Sequence, residues 1–489
     1  MKTLKELFNG IACEFINISP DSVVPGISSD SRTLSPGDIF FALKGREKDG
    51  RDFIEEAMRR GAAAVCCEEA PAGGLGGAGL IVARGAADAL PLLASRFFAE
   101  PAGRLRVVGI TGTNGKTTTS HLLYDILETS GRPSLLTGTV RYVLRGEEMA
   151  ATNTTPGPIL LQSLLRRAAD AGCTNAVIEV SSHALKQSRV SRIKFSTAAV
   201  TNVTGDHMDY HGSMEDYVNS KKLLFTCLDD KGTAILNADD EFYGEFKKAA
   251  RRGALSYGIR GDCDFRAARI ESDIDGSGFR VDTPKGSMRV RTNLVGMHNI
   301  YNVLAAIAVS FAEGVEPGAI VEAIGRFRPA PGRLEPVSAG QGFRAFVDYA
   351  HTHDALEKVL ASLRGMCAGR LVVVFGCGGD RDRSKRARMG RAAARLADYV
   401  VLTNDNPRGE DPDSILTEIE RGFPNGFEAY KKIPDRFKAI EEALKGRDDS
   451  DIVLIAGKGH EDRQIIGGES FLFNDKAAAE KILRTGLYV

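Results

Sequence analysis

The chain has 489 residues, 43% of them hydrophobic, and 64 Lys plus Arg stand against 64 Asp plus Glu. That is more length than one domain takes and enough apolar material for several cores. A net charge of zero excludes a bulk polyanion such as nucleic acid as the main partner, but not a local anion site.

Residues 1–102 read as a small α/β domain. Asp30-Ser31-Arg32 is followed by Pro36-Gly37-Asp38 and the apolar Ile39–Leu43, which is turn, then buried strand. Phe53–Gly61 has a helical pattern and Ala63–Cys66 a strand pattern. Taken by themselves, Ser31 and Arg32 form a solvated turn.

Residues 103–332 open on Val107-Val108-Gly109-Ile110-Thr111-Gly112-Thr113-Asn114-Gly115-Lys116-Thr117-Thr118. An apolar strand feeds a glycine turn, and a helical run follows. Gly112 and Gly115 let backbone N–H groups approach a phosphate, Lys116 supplies a point charge, and the Thr117 hydroxyl suits Mg²⁺. Ile110 stands where the strict phosphate-loop pattern has glycine. Strands at Arg106–Thr111, Ala176–Val180, Thr197–Asn202 and Gly232–Asn237 alternate with helices, so a parallel sheet is expected, with ligands at the strands' carboxyl ends. Polar residues gather there: Glu179–His183, Thr201–His207 and Asn237–Asp240. Glu179 suits a hard cation, and His207 is either a second ligand or a surface imidazole. Lys221 and Lys222, on a helix, read alone as a solvated face. Residues 262–292 alternate like a β-hairpin. Asn299 and Asn302 share a helix face and either contact a purine or cap the helix that runs on through Val303–Ala312.

Pro329-Ala330-Pro331-Gly332 marks a boundary, and residues 333–489 repeat the α/β pattern without a second phosphate loop. Strands at Phe346–Tyr349, Leu371–Phe375, Tyr399–Leu402 and Ile452–Ala456 each end in a polar loop. The eight cysteines lack any C-x-x-C pair, which fits a reducing compartment. Met1–Ile16 lacks the apolar core of a signal peptide, and Val303–Ala312 is too short to span a bilayer. The expectation is a cytoplasmic α/β protein of three domains, with no membrane partner. Its chemistry is that of ATP and Mg²⁺, and these residues alone do not separate a ligase from a kinase or a motor ATPase.

The joint set Gly109–Thr119, Thr154-Thr155-Pro156, Glu179–His183, Asn202–Asp209, His298–Asn302, Arg333, Asp348–His351 and Gly376–Arg383 resembles the Mur ligases. These are ATP-dependent amino-acid ligases of peptidoglycan synthesis, related to folylpolyglutamate synthetase. Asp405-Asn406-Pro407-Arg408 with Gly457-Lys458-Gly459-His460-Glu461 resembles the branch that adds meso-diaminopimelate to UDP-N-acetylmuramoyl-L-alanyl-D-glutamate. The resemblance implies an N-terminal UDP-substrate domain, a central ATP-binding domain and a Rossmann-like amino-acid domain, acting as a monomer. It implies that Gly112, Thr113, Asn114, Gly115, Lys116, Thr117 and Thr118 hold the ATP phosphates, with Asn299, Asn302, Arg333 and Asp348 as further nucleotide contacts. Thr117 and Glu179 are then Mg²⁺ ligands, His207 serves a second ion, and Lys221 is a carbamylated lysine formed with CO₂. Lys116, Glu179, His207 and Lys221 make up the catalytic set. Ser31, Thr154, Thr155, Ser181, Gln187 and Arg189 match contacts to the UDP substrate. Arg381, Asp405, Asn406, Pro407, Arg408, Gly457 and Glu461 match contacts to the amino acid. Arg408 would select diaminopimelate over lysine through the extra carboxylate. One departure is His353, where the family has proline, so a looser loop is expected there.

Overall fold

The computed structural model describes residues 2–45, 48–250 and 253–486. Among these, the N-terminal residues form a five-stranded sheet in the order Cys13–Ile16, Gly79–Ala83, Ala64–Cys67, Ile39–Phe41 and Ile27–Ser28, parallel except for the first strand. Its strands are apolar without alternation because both faces are covered. Ile39, Phe41, Ala64 and Cys66 pack into one core, and Phe40, Ala42, Val65 and Cys67 into the other.

The central segment builds an eleven-stranded sheet. The expected strands are present at Arg106–Thr111, Asn175–Glu179, Phe195–Val200 and Leu228–Asn237, each within a few residues of the sequence reading. The sheet is mixed, not wholly parallel. Ser134–Thr137, Arg141–Leu144 and Glu147–Ala150 form an antiparallel edge. At the other edge the expected hairpin is a three-stranded meander, Phe265–Asp273, Gly276–Thr283 and Gly286–Thr292. Two-residue turns such as Arg145-Gly146 and Pro284-Lys285 join these strands, and such turns allow only antiparallel neighbours.

The C-terminal residues form a six-stranded sheet in the order Glu335–Val337, Arg344–Asp348, Ile452–Ala456, Leu371–Phe375, Tyr399–Leu402 and Tyr430–Lys432, antiparallel only at Glu335–Val337. Along Leu371–Phe375 the odd residues Leu371, Val373 and Phe375 enter one core, and Val372 and Val374 enter the other. Each such buried side chain contributes about 1.5–3 kcal/mol relative to exposure. The result is a doubly covered sheet whose parallel strands point one way, so the loops that follow them emerge together at one end.

By its contacts the chain divides into two compact units. One comprises residues 1–109, 132–198 and 223–232, and the other residues 110–131, 199–222 and 233–489. All eight cysteines are free thiols. No helix among the described residues is long and apolar enough to cross a membrane.

Candidate functional site

In the unit that holds the phosphate loop, the strand ending at Thr111 passes through Gly112–Gly115 into the helix Lys116–Thr129. Two glycines are obligatory. Gly112 (φ +148°) faces Thr201, whose Oγ1 would lie 1.9 Å from an added Cβ. Gly115 (φ +87°) faces Asn302, whose Oδ1 would lie 2.1 Å from one. The loop is also held from behind. Asn114 N donates to Asn202 Oδ1 (3.1 Å), and Asn114 O accepts from Thr201 Oγ1 (2.6 Å) and Asn202 Nδ2 (3.0 Å). Thr113 N donates to Asn202 O at 2.7 Å, and Thr113 Oγ1 lies 3.1 Å from the Tyr217 hydroxyl. Thr117 and Thr118 are buried in the first turn. Lys116 Nζ donates to the carbonyls of Gly112 and Thr113, both at 2.9 Å.

Lys221 does not belong to a solvated face. The helix Met214–Thr226 delivers it fully buried to the loop, where Nζ donates to Gly112 O (2.9 Å) and sits 4.2 Å from the Tyr217 ring centre. Burial, reinforced by the charge of Lys116, pulls its pKa well below the lysine range. His207, in a left-handed conformation (φ +56°), has Nε2 3.4 Å from Asp206 Oδ2. Burial pulls His207 down to about 4, so it is a neutral imidazole at neutral pH. Burial works to raise Asp206, but His207, His351, Lys385 and Lys116 outweigh it and hold the carboxyl low.

Asn299 and Asn302 lie inside the helix Met297–Ala312, which packs on Lys116–Thr129. Asn299 is not its cap, which is Gly296. Asn299 Nδ2 donates to Val295 O, and Asn302 Nδ2 donates to Asn299 Oδ1, both at 2.9 Å. Arg333 Nη2 reaches Thr117 Oγ1 (3.1 Å), and its guanidinium lies 4.8 Å from the Tyr349 ring centre. Asp348 accepts from Leu334 N (2.6 Å) and Ala350 N (2.8 Å), and so braces the turn that carries Arg333. Burial raises Asp348 to about 6, against the pull of Arg333 and these two amides.

His353 is the first residue of the helix His353–Arg364, capped by Thr352, whose Oγ1 accepts from Ala355 N (3.2 Å). The looser loop expected from the missing proline is opposed by this cap. At this position proline's missing N–H costs nothing in any case, and the threonine cap fixes the helix start. His353 lines a cavity of about 210 Å³ with Gly205, Asp206, Thr352, Lys385 and Arg388.

In the other unit, Glu179 ends its strand fully buried. It accepts from Thr139 Oγ1 (2.9 Å) and Thr139 N (3.3 Å). Thr154 Oγ1 is 3.1 Å from Thr139 Oγ1. Thr155 Oγ1 donates to Glu179 O (2.8 Å) and accepts from Ser181 N (3.0 Å). Arg189 Nη1 donates to Thr155 O (2.9 Å) and its Nη2 to Gln187 Oε1 (2.7 Å). Thr154, Thr155, Ser181, Gln187 and Arg189 are therefore gathered into one cluster around Glu179. Ser31 stands apart from it, on a short helical turn of the N-terminal sheet. Its side chain is buried and donates to Glu56 Oε2 (2.7 Å), so the solvated turn expected from sequence holds for Arg32 and not for Ser31.

The C-terminal sheet brings the amino-acid set together at its loop end. Asn406 Nδ2 donates to Glu461 Oε2 (2.9 Å), and buried Lys458 donates to both Asn406 Oδ1 (3.1 Å) and Glu461 Oε2 (3.0 Å). Gly457 (φ +113°) passes close to Asp405. Arg408 (φ +53°) directs Nη1 to Gly379 O (2.8 Å), and Pro407 lies beside it against Gly379. Arg381 is exposed on the facing loop. Sequence reasoning missed Thr139, Tyr217 and Lys458 as members of these networks, and also Asp354, whose Oδ2 accepts from Asn114 Nδ2 (2.9 Å) and Thr204 Oγ1 (3.0 Å). Thr139 follows the strand Ser134–Thr137, which no sequence pattern announces. Lys458 lies inside the Gly457–Glu461 motif, and only its complete burial reveals its role.

Thr117 hydroxyl, buried Glu179 carboxylate and neutral His207 are donor types that suit a hard divalent cation, whereas Lys221 as an ammonium is not. Its lowered pKa favours the neutral amine, the form from which an anionic oxygen ligand could be made. Taken singly, the Thr117, Glu179 and His207 side chains have the chemistry of Mg²⁺ ligands, and Lys221 would have it only as a carbamate.

Three family models match the chain: the Mur ligase family catalytic domain over residues 23–88, the Mur ligase middle domain over 110–310, and the Mur ligase glutamate ligase domain over 332–459. A UDP-N-acetylmuramoyl-L-alanyl-D-glutamate–2,6-diaminopimelate ligase from Geobacillus thermodenitrificans is 42% identical over 472 residues, 95% of this chain and 96% of that protein. The protein of the same name from Thermosynechococcus vestitus is 42% identical over 494 residues, covering 99% and 98%. A solved structure of a ligase of that name superposes with TM-score 0.68 at 32% identity over the full length of both chains. The MurF ligase of Thermotoga maritima in complex with ADP shares the fold, with TM-score 0.68 at 19% identity over 94% of this chain and 97% of that one. The likeness extends through all three α/β domains, and the chain belongs to the Mur ligase family.

Proposed function

We propose that this chain is the ATP-dependent ligase that joins meso-diaminopimelate to UDP-N-acetylmuramoyl-L-alanyl-D-glutamate in peptidoglycan precursor synthesis, with residues 1–102, 103–332 and 333–489 as the UDP-substrate, ATP and amino-acid domains. The observation that carries this reading is the assembly of Asn406, Lys458 and Glu461 beside Arg408 at one sheet end. The names of relatives about 40% identical along nearly the whole chain support it.

The chemistry follows from the groups in place. A carboxylate is a poor electrophile until one oxygen becomes part of a leaving group. The D-glutamyl side-chain carboxylate attacks the γ-phosphorus of ATP, the bond to the bridging oxygen breaks, and ADP leaves. The acyl phosphate then meets the amine of diaminopimelate. The C–N bond forms, the amine sheds its proton, and the tetrahedral adduct collapses with loss of phosphate. Lys116 and the loop amides not already bonded to Asn202 would bind and orient the phosphates, and a bound Mg²⁺ would supply charge stabilisation for the transferred phosphoryl. Thr117 and Glu179 would hold one Mg²⁺, and His207 with Lys221 as its carbamate a second. Carbamylation needs the neutral amine: the Nζ lone pair bonds the carbon of CO₂, a C=O electron pair moves to oxygen, and the nitrogen releases one proton. Arg333, Asn299 and Asn302 would contact the nucleotide. Ser31, Thr154, Thr155, Ser181, Gln187 and Arg189 would contact the UDP substrate. Arg381 and Asp405–Arg408, with Gly457 and Glu461, would receive the amino acid.

The test is phosphate release from ATP with UDP-muramoyl-dipeptide, with and without diaminopimelate, repeated over a panel of amino acids. Release that requires both substrates, with diaminopimelate preferred, is the expected result. Release indifferent to either substrate would overturn the ligase reading. A second sample supplied with ¹³C-bicarbonate should show a carbamate carbonyl resonance that is lost in Lys221→Ala.

A further inference from the structure

The two loops proposed to hold the amino acid rest on one buried ion cluster that none of the assigned contacts includes. Arg386, in the helix Lys385–Leu396, is fully buried. Its Nη1 donates to Glu410 Oε2 (2.9 Å) and Glu418 Oε2 (2.9 Å), and its Nη2 to Glu410 Oε1 (2.8 Å) and Gly378 O (3.2 Å). Glu410 Oε1 also accepts from Asp380 N at 2.6 Å. One carboxylate thus joins the guanidinium beneath to the Gly378–Arg381 loop above. The Arg386 fork holds Glu410 down at about 2, so the pair stays charged.

The same two loops meet again at their upper side. Gly379 N donates to Asn406 O (2.9 Å), Gly409 N to Asp380 Oδ2 (3.1 Å), and Arg408 Nη1 to Gly379 O (2.8 Å). Arg408 sits in a left-handed backbone conformation that arginine adopts only when its surroundings impose it. Glu410 follows two residues later, and its bonds to Arg386 and Asp380 N anchor the end of that stretch to the facing loop. The cluster touches neither the Arg408 nor the Arg381 side chain directly.

We propose that Arg386 and Glu410 are positioning residues for amino-acid choice: they fix the spacing of the Gly378–Arg381 and Asp405–Arg408 loops, and so the place of the Arg408 guanidinium. The proposal rests on the diaminopimelate reading above. A bidentate contact to a carboxylate is sensitive to placement, and a shift of about 1 Å can cost about 100-fold. The phosphate loop and the UDP-substrate cluster share no residue with this network, so the effect should fall on one substrate.

Glu410→Gln keeps the shape and removes the charge, and Arg386→Lys keeps the charge and removes the fork. In steady-state assays either variant should raise KM for diaminopimelate by about 10-fold or more and lower the ratio of kcat/KM for diaminopimelate to that for lysine. KM for ATP and for the UDP substrate should stay within about 2-fold. A merely structural role would raise all three KM values together or leave the ratio unchanged, and either result in a folded variant overturns the proposal. Should one variant not fold, the other decides. Arg408→Ala is the control. If it raises KM for diaminopimelate while Glu410→Gln and Arg386→Lys do not, the positioning role alone fails. If it too has no effect, the amino-acid site has been misassigned, and this proposal falls with it.

Discussion

Arg408 offers the sharpest test of how this fold selects its amino acid. Diaminopimelate differs from lysine by one carboxylate, and the guanidinium can bind that group through two charge-assisted hydrogen bonds. Each is worth about 1.5–3 kcal/mol. Part of that is already committed, since Nη1 is engaged with Gly379 O at 2.8 Å. A net loss of about 2–4 kcal/mol on truncation corresponds to about 30- to 1000-fold in kcat/KM for diaminopimelate. The backbone of the loop should survive. Arg408 N donates to Ile465 O (3.1 Å) and Arg408 O accepts from Gly467 N (2.8 Å), and neither bond needs the side chain. Alanine retains the strain at φ +53°, about 1–2 kcal/mol, whereas glycine relieves it, so Arg408→Gly separates strain from recognition. Both variants should lose diaminopimelate activity by the same order, keep KM for ATP, and change little toward lysine. A variant that retains kcat/KM for diaminopimelate within about 3-fold would refute the reasoning.

Three further outcomes follow from the geometry. Arg436 and Asp475 form a bidentate pair with both side chains fully buried (2.7 and 2.8 Å), and Arg436 also donates to Asn404 O (3.1 Å) and Ala456 O (2.9 Å), beside the amino-acid loops. Asp475→Ala should cost about 3–5 kcal/mol in denaturant unfolding, and a loss below about 1 kcal/mol would show the guanidinium to be solvated. Asp348, raised to about 6 by burial from 3.8, binds its proton more tightly in the folded chain than in the unfolded one. Its contribution therefore opposes folding increasingly as pH rises from about 4 to about 6, by about 3 kcal/mol in total. Measured against Asp348→Asn over that window, wild-type stability should decline, and a flat or rising difference would contradict the shift. Gly115→Ala puts a Cβ 2.1 Å from the buried Asn302 Oδ1 at a φ of +87°, so the phosphate loop must move. KM for ATP should rise at least about 10-fold with the melting temperature little changed, and normal ATP affinity would mean that the loop accommodates the methyl group.

Much of the fold could be read from periodicity. Leu371–Phe375 and Ile452–Ala456 are unbroken apolar runs because helices cover both faces of their sheet, whereas a strand with one wet face would alternate. The edge strands Arg141–Leu144 and Glu147–Ala150 were not legible, because Glu147 and Glu148 face solvent and no apolar alternation marks them. Lys221 shows the same limit at the site. Next to Lys222 in a helix it looks like surface charge. Tyr217 lies one helical turn before it, but the burial of Lys221 also depends on Gly112, 109 residues earlier, which no local pattern reveals.

The sequence by itself determined the chemistry on offer: a phosphate loop, polar strand ends that suit a metal, and an Asp-Asn-Pro-Arg loop whose arginine can recognise a carboxylate. These are local, because a glycine turn, a strand end and a residue type each carry their function within a few positions. Only the tertiary structure decided protonation and placement. Burial lowers the pKa of Lys221 and His207, packing holds Asn299 and Asn302 inside a helix laid against the phosphate-loop helix, and the path of the chain brings Arg386 to Glu410, two residues after Arg408. Desolvation and distance between residues remote in sequence set these properties, and neither is a property of a motif.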